Sequence, residues 1–154
     1  LKHYSKKQMI GFVIMAATIL FIWGNSLLPA PVSSEVSSGF GQWLITVFGT
    51  ESAMLQFVVD NIRKIAHFVV YGVLGIQTVL VTGMAHHLTA KRVVKGLYFA
   101  LTIAFVDESL QVLSGRGPMI QDVWLDVCGF TLLGGLTLLL ALAGKAFKAK
   151  KNRM

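Results

Sequence analysis

Four long apolar runs alternate with shorter polar segments along the chain. They cover residues 9–28, 65–84, 93–113 and 123–143. Each is close to the roughly 20 mostly apolar residues that a helix needs to cross a bilayer. The pattern predicts an all-α membrane protein, a bundle of four transmembrane helices that forms a single domain over residues 1–154.

The first run has the outline of a secretory signal peptide, because lysines precede it and the small-residue stretch LLPAPVSS follows it. We interpret it instead as an uncleaved first span. Pro29 and Pro31 are expected to end this helix, since proline interrupts helical hydrogen bonding.

The segment between the first two spans, residues 32–62, is amphipathic. Apolar residues recur there at helical spacing, first at Phe40, Trp43, Leu44, Val47 and Phe48, and then from Met54 to Ile62. We predict one or two short helices at the membrane interface. They would be separated at Gly49 and Thr50, and the serines Ser33, Ser34, Ser37 and Ser38 would supply their caps; the second helix would run on into the next span.

Composition supports the membrane interpretation. Hydrophobic residues make up 55% of the chain and charged residues 14%, whereas soluble domains carry about 25% charged residues. The net charge of +7 would favour nucleic acid as the partner of a soluble protein. Here the basic residues flank the apolar runs, so membrane lipids are the expected partner and nucleic acid is not. The single cysteine, Cys128, excludes an intramolecular disulfide.

Basic residues are distributed unevenly between the two predicted sides of the membrane. Eleven of the fourteen lie near the termini and in the loop between the second and third spans; Arg63, Lys64 and Arg116 lie on the other side. The positive-inside rule therefore predicts a multi-pass protein of the bacterial cytoplasmic membrane, with both termini in the cytoplasm.

Polar residues collect near the predicted outer ends of all four spans. Counting about 1.5 Å per helical residue places them at one depth, roughly 5–10 Å below the outer boundary. Because charges facing lipid are costly, we expect the acids to face the bundle interior or a wet cavity. The candidate catalytic residues are His67, Asp107, Glu108 and Asp126. The candidate substrate-binding residues are Asn25, Ser26, Lys64, Tyr71, Gln111, Arg116 and Asp122.

A histidine beside several carboxylates is compatible with three kinds of chemistry. It can catalyse proton transfer, hold a divalent metal or relay protons in a carrier. Arg116 and Lys64 would suit an anionic head group at the mouth of the site. No spacing in the sequence is diagnostic of a metal, so we assign no metal ligand and no cofactor. A purely structural layer that joins the helices is the alternative.

Two blocks resemble the VanZ-like family of small bacterial membrane proteins. They are RKIAHFVVYGVLG at residues 63–75 and DESLQVLSGRGPMIQDVWLDVCGFTLLG at residues 107–134, and NSLLP at residues 25–29 is similar to the family's first span. The resemblance implies a protein of the cell envelope. It also implies an effect on glycopeptide susceptibility, since the founding member is linked to resistance to teicoplanin-type antibiotics.

Three functions remain open from the sequence. The first is an outward-facing site, enzymatic or not, for an anionic cell-wall or lipid head group. The second is a non-enzymatic accessory module that binds its partner through residues 32–62 and has a structural polar layer. The third is a small proton-coupled carrier, which four spans without an internal repeat make the least favoured.

Overall fold

The computed structural model describes residues 5–49 and 52–152, and within these ranges the chain is helical and contains no strand. The helices are α1 (Lys6–Ser26), α2 (Ala30–Phe48), α3 (Ala53–Asp60), α4 (Ile62–Thr82), α5 (Ala90–Leu113) and α6 (Ile120–Lys151), with one 3-10 turn at Met84–His86. The all-α prediction is confirmed. Each predicted span coincides with one of these helices, and α6 extends beyond its apolar run into the basic tail.

Three of the described helices, α1, α4 and α6, are long and apolar enough to cross a membrane. The fourth predicted span corresponds to α5, which has the required length of 24 residues but carries basic residues in its first two turns and Asp107 and Glu108 near its end. The membrane character of the chain is thus supported, whereas the count of four spans stays a prediction.

Local sequence explains several helix boundaries. Ser5 and Gln8 form a capping box at the start of α1, in which each side chain accepts a hydrogen bond from the other residue's backbone N–H. The Thr89 hydroxyl accepts from Arg92 N at the start of α5. Gly83, with φ of 60°, ends α4 in the left-handed conformation that glycine adopts without strain.

The segment after α1 forms one long helix and one short one. The predicted break at Gly49 is present, and Thr50 lies outside the described residues. The serines expected to cap these helices lie inside α2, where Ser37 Oγ donates to the Ser33 carbonyl at 2.9 Å, so that prediction was wrong. Only Asn61 separates α3 from α4, close to the predicted continuation.

The four long helices pack as a ring in which α1 contacts α4, α4 contacts α6, α6 contacts α5 and α5 contacts α1. Of the three helices that are long and apolar enough to cross a membrane, α4 is the most buried. In its apolar 18-residue stretch 39% is buried, against 11% in α1 and 17% in α6. Large apolar side chains such as Leu80, Phe105 and Leu139 remain exposed around the ring. This exposure fits a protein whose outer surface meets lipid.

Glycines bring α4 and α6 into close contact. A Cβ atom at Gly75 would meet the Phe130 carbonyl, and one at Gly129 would meet the Phe68 carbonyl, closer than van der Waals contact permits. A Cβ at Gly72 or Gly134 would also lie close to the facing helix, as is typical of helix packing through small residues. Gly135 does not take part in this contact, because nothing lies within 4 Å of a Cβ there.

Candidate functional site

Four long helices contribute to a buried polar cluster at the end of the bundle opposite the basic termini. Ser26 comes from the last turn of α1, His67 from α4, Asp107 from α5 and Asp126 from α6. The two aspartates are fully buried and Ser26 is 1% exposed. Residues far apart in the sequence thus meet at the depth where the polar layer was predicted.

The imidazole of His67 lies between the two buried carboxylates. Its Nδ1 atom is 3.6 Å from Asp107 Oδ2 and 3.4 Å from Asp126 Oδ1. On its other side, Asp107 accepts a short hydrogen bond from the Ser26 hydroxyl through Oδ1. The side chain of His67 is 12% exposed, so the ring also forms part of a surface that a ligand can reach.

Tyr71 lies one turn below His67 on the same face of α4. It is fully buried, and its hydroxyl is close to the Asp107 carboxylate. Within the described ranges, however, the hydroxyl makes no hydrogen bond of good geometry. Tyr71 therefore adds a fifth polar group to the cluster, beside its packing role.

Glu108 faces away from His67, as the angle of about 100° between adjacent helical residues leads one to expect. Its Oε1 accepts from Gln111 Nε2 at 2.6 Å, and its Oε2 accepts from Met119 N, at the start of α6, at 2.9 Å. Gln111 Oε1 in turn accepts from Arg63 Nη2 at 2.7 Å. This chain of bonds ties α4, α5 and α6 together, which favours a structural role for Glu108 and Gln111 over the predicted catalytic and substrate contacts.

Arg116 is buried at the junction of α1 and the turn between α5 and α6. Its Nη2 donates to the carbonyls of Asn25 and Ser26 at 2.8 and 2.7 Å. Its Nη1 donates to Ser33 Oγ at 3.2 Å, and its Nε to Ser114 Oγ at 3.1 Å. Burial and the nearby Arg63 lower the pKa of Arg116, yet a guanidinium stays protonated in proteins. Its bonds cap the end of α1, which favours a structural role over the predicted contact with a head group.

Besides Glu108, Gln111 and Arg116, three more predicted site residues lie outside the cluster. Lys64 is exposed on α4. Asp122 is half-buried in the first turn of α6, where an acid stabilises the positive end of the helix dipole. Asn25 is exposed, and its backbone carbonyl, not its side chain, bonds Arg116.

A cavity of about 240 Å³ opens beside the cluster, between α1, α2 and the start of α4. Its polar wall includes Asn25, Ser33, Arg63, His67 and Tyr71. Its apolar wall includes Phe21, Ile22, Val36, Phe40 and Val70. Arg63 was not among the candidate site residues predicted from the sequence, and its place in this cavity was missed. Its spacing of four residues from His67 was the available signal.

The same cluster offers the donor atoms that a metal ion needs. One ligand atom each from His67, Asp107 and Asp126 can be chosen so that all three lie within 4.8 Å of one another. No spacing in the sequence predicted this set, because the three residues come from three different helices.

Comparison with protein families agrees with this architecture. The profile described as VanZ/LLP1 matches residues 9–141, which include the whole polar cluster. No curated protein and no solved structure matches the chain significantly. The resemblance read from the two sequence blocks is thus confirmed over most of the chain, and the protein belongs to the VanZ/LLP1 family.

Proposed function

We propose that this protein is a four-span membrane protein that binds an amphiphile with an anionic head group in the cavity beside His67. The cavity carries the proposal because its walls match the two halves of such a ligand. Polar groups line one side, and the apolar side is continuous with exposed residues of α1 and α2, Phe21, Val36 and Phe40. A head group would fit the cavity, and the acyl chains would lie along the membrane-facing surface.

The fourth span is supported by the burial of its acids. Asp107 is 0% exposed and Glu108 4%, so neither presents a charge to lipid. A helix of 24 residues is about 36 Å long, enough for a hydrocarbon core of about 30 Å. With α5 as a span, both termini lie on one side, and the charge bias places them in the cytoplasm. The cavity and the cluster would then face the outside of the cell, where cell-wall lipids are handled.

Arg63 is the proposed contact for the anionic group. One of its terminal nitrogens, Nη2, bonds the neutral side chain of Gln111, so its charge is not matched by a carboxylate in that bond. The other guanidinium donors can reach a ligand in the cavity that Arg63 lines. A planar guanidinium suits phosphate and carboxylate because it offers paired donors. Arg63 thus replaces Lys64 and Arg116 in the role predicted from the sequence.

His67 is the residue that we propose for proton transfer at the site. If the protein is an enzyme, His67 with Asp107 and Asp126 forms the acid–base group, and Glu108 is left out because its oxygens accept bonds from Gln111 and Met119. If it only binds, the same cavity presents its ligand without turnover. An effect on glycopeptide susceptibility, which the family resemblance implies, stays a prediction that a site for an anionic cell-wall lipid would explain.

Lipid binding by the detergent-purified chain tests the proposal. We expect saturable binding of phosphatidylglycerol, measured by native mass spectrometry, and weaker binding of zwitterionic phosphatidylcholine. Arg63→Gln should lower the affinity for phosphatidylglycerol about tenfold or more, since a hydrogen bond to a charged group contributes about 1.5–3 kcal/mol. Lys64→Gln, one residue away on the exposed face, is the matched control and should bind as wild type. Equal affinity for the two lipids, or equal loss in both variants, would contradict the proposal.

A further inference from the structure

The group formed by His67, Asp107 and Asp126 contains buried carboxylate oxygens that the protein around it does not pair. Asp107 Oδ2 and both carboxylate oxygens of Asp126 are buried, and they have no hydrogen-bond partner in residues 5–49 and 52–152. The Tyr71 hydroxyl is buried and unpartnered in the same way. Three carboxylate oxygens without hydrogen-bond partners thus belong to one buried group, although a buried unpaired carboxylate is costly.

Nearby side chains supply at most two donors for these three oxygens. The imidazole offers one Nδ1–H, and the Tyr71 hydroxyl, which is close to the Asp107 carboxylate, offers one O–H. The arginines closest to the cluster bond elsewhere: Arg63 to Gln111, and Arg116 to the end of α1, Ser33 and Ser114. When both aspartates are ionised, even a protonated His67 leaves the group with a net negative charge.

Glu108 shows what a structural carboxylate looks like in this fold. It lies next to Asp107 in the sequence and is also buried, yet each of its oxygens accepts a protein N–H, at 2.6 and 2.9 Å. A cluster that only joined helices would be expected to have partners of this kind. The two aspartates instead direct their free oxygens towards His67 and Tyr71, as groups that surround a ligand do.

We propose that His67, Asp107 and Asp126 bind one divalent cation of intermediate hardness, Mn²⁺ or Zn²⁺. One imidazole and two carboxylates are a ligand set that both ions accept. The three ligand atoms lie within 4.8 Å of one another. Ligand atoms that are about 2.0–2.2 Å from a tetrahedral ion lie about 3.3–3.6 Å from one another. The distances of 3.6 and 3.4 Å from His67 Nδ1 to the two carboxylates fit this spacing, whereas a carboxylate pair at the 4.8 Å limit would have to close by about 1.2 Å or more. The set leaves coordination positions open for water or an outside oxygen.

The cation would lie within the proposed lipid site, where it could contact the head group. This part of the inference rests on the proposed function. His67 and Tyr71 belong both to the cluster and to the wall of the cavity. A cation at the cluster would therefore lie at the end of the cavity that a head-group oxygen reaches, with Arg63 at the other flank. The ligand class becomes a phosphate- or carboxylate-bearing lipid that contacts the metal directly.

Binding of Mn²⁺ alone to the full chain tests this inference. The protein would be purified in detergent, treated with a chelator and titrated with Mn²⁺ while the signal of free Mn²⁺ is followed by electron paramagnetic resonance. We expect one saturable site, competition by Zn²⁺, and a melting temperature that rises with bound metal. Asp126→Asn should weaken binding by at least about tenfold, since even changes around metal ligands cost 10–100-fold.

Asp122→Asn is the matched control, because it removes the same charge one turn away on α6 without touching the cluster; it should bind as wild type. If Asp126→Asn does not yield folded protein, His67→Gln takes its place. Absence of a saturable site, or equal weakening in Asp122→Asn, would overturn the inference. Lipid binding separates the two proposals. A chain that binds phosphatidylglycerol through Arg63 but no metal refutes only the cation, whereas metal binding without lipid binding refutes the proposed function.

Discussion

His67 Nδ1 lies 3.4 Å from Asp126 Oδ1, and the two residues belong to helices that glycines hold in close contact. Gly129 is three residues after Asp126 and packs on the carbonyl of Phe68, the neighbour of His67. The helix contact therefore sets the distance between imidazole and carboxylate. The site depends on this packing as much as on its own side chains.

Gly129→Ala should destabilise the protein and impair the site together. The added Cβ would overlap the Phe68 carbonyl, so α4 and α6 must separate. Overpacking of this kind costs about 1–3 kcal/mol, which thermal unfolding in detergent would detect. Gly135→Ala on the same helix meets nothing within 4 Å and should leave the melting temperature unchanged or slightly raised. A similar fall in the melting temperature of both variants would show that the contact of Gly129 with Phe68 does not determine the stability of the protein.

Ser26→Ala should also lower stability, through the Asp107 carboxylate. The substitution removes the buried hydroxyl that donates to Asp107 Oδ1 and leaves that oxygen without a protein partner. Loss of such a partner costs about 1–3 kcal/mol. Ser34→Ala, at an exposed position of α2, is the control and should unfold as wild type. If Ser26→Ala melts at the wild-type temperature, the hydrogen bond between Ser26 of α1 and Asp107 of α5 does not contribute to stability.

Arg116→Gln should reduce stability whether or not a ligand is present. The guanidinium bonds two carbonyls at the end of α1 as well as Ser33 and Ser114, and glutamine cannot replace all of these bonds. We expect a loss of about 3 kcal/mol or more, because hydrogen bonds to charged groups contribute about 1.5–3 kcal/mol each. Thermal unfolding without lipid is the measurement. Normal stability combined with lost lipid binding would return Arg116 to the ligand-contact role predicted from the sequence.

Cysteine labelling in intact cells tests the number of spans. In a background with Cys128→Ala, the variants Ser38→Cys and Gly117→Cys should react with a membrane-impermeant maleimide, and Leu88→Cys should react only after the cells are opened. Positions 88 and 117 flank α5, so this difference means that α5 crosses the membrane. The same accessibility at both positions would leave only three crossings.

Much of the fold follows from the sequence because continuous hydrophobic runs act locally. Continuous apolar runs marked all four long helices, and depth counting placed Ser26, His67, Asp107 and Asp126 together. The hydrogen-bond partners of individual side chains could not be predicted from the sequence, because they depend on the rotation of each helix about its axis. Arg116 reaches back to carbonyls at the end of α1, and Glu108 turns to the start of α6; these contacts join residues 11 to 91 positions apart. The serines of α2 were wrongly predicted to be helix caps. Residues typical of caps can lie within a helix when a preceding proline starts the helix earlier.

Photolabelling with a lipid that carries a diazirine close to its head group tests most directly whether an anionic amphiphile binds in the cavity beside His67. The wild-type chain would be labelled with phosphatidylglycerol and phosphatidylcholine versions of the probe, and the modified residues mapped by mass spectrometry. We expect the anionic probe to be enriched at the cavity wall, at Phe21, Val36, Phe40 or Val70, and Arg63→Gln to remove this enrichment. Uniform labelling of exposed apolar residues such as Leu80 and Leu139 by both probes would contradict it.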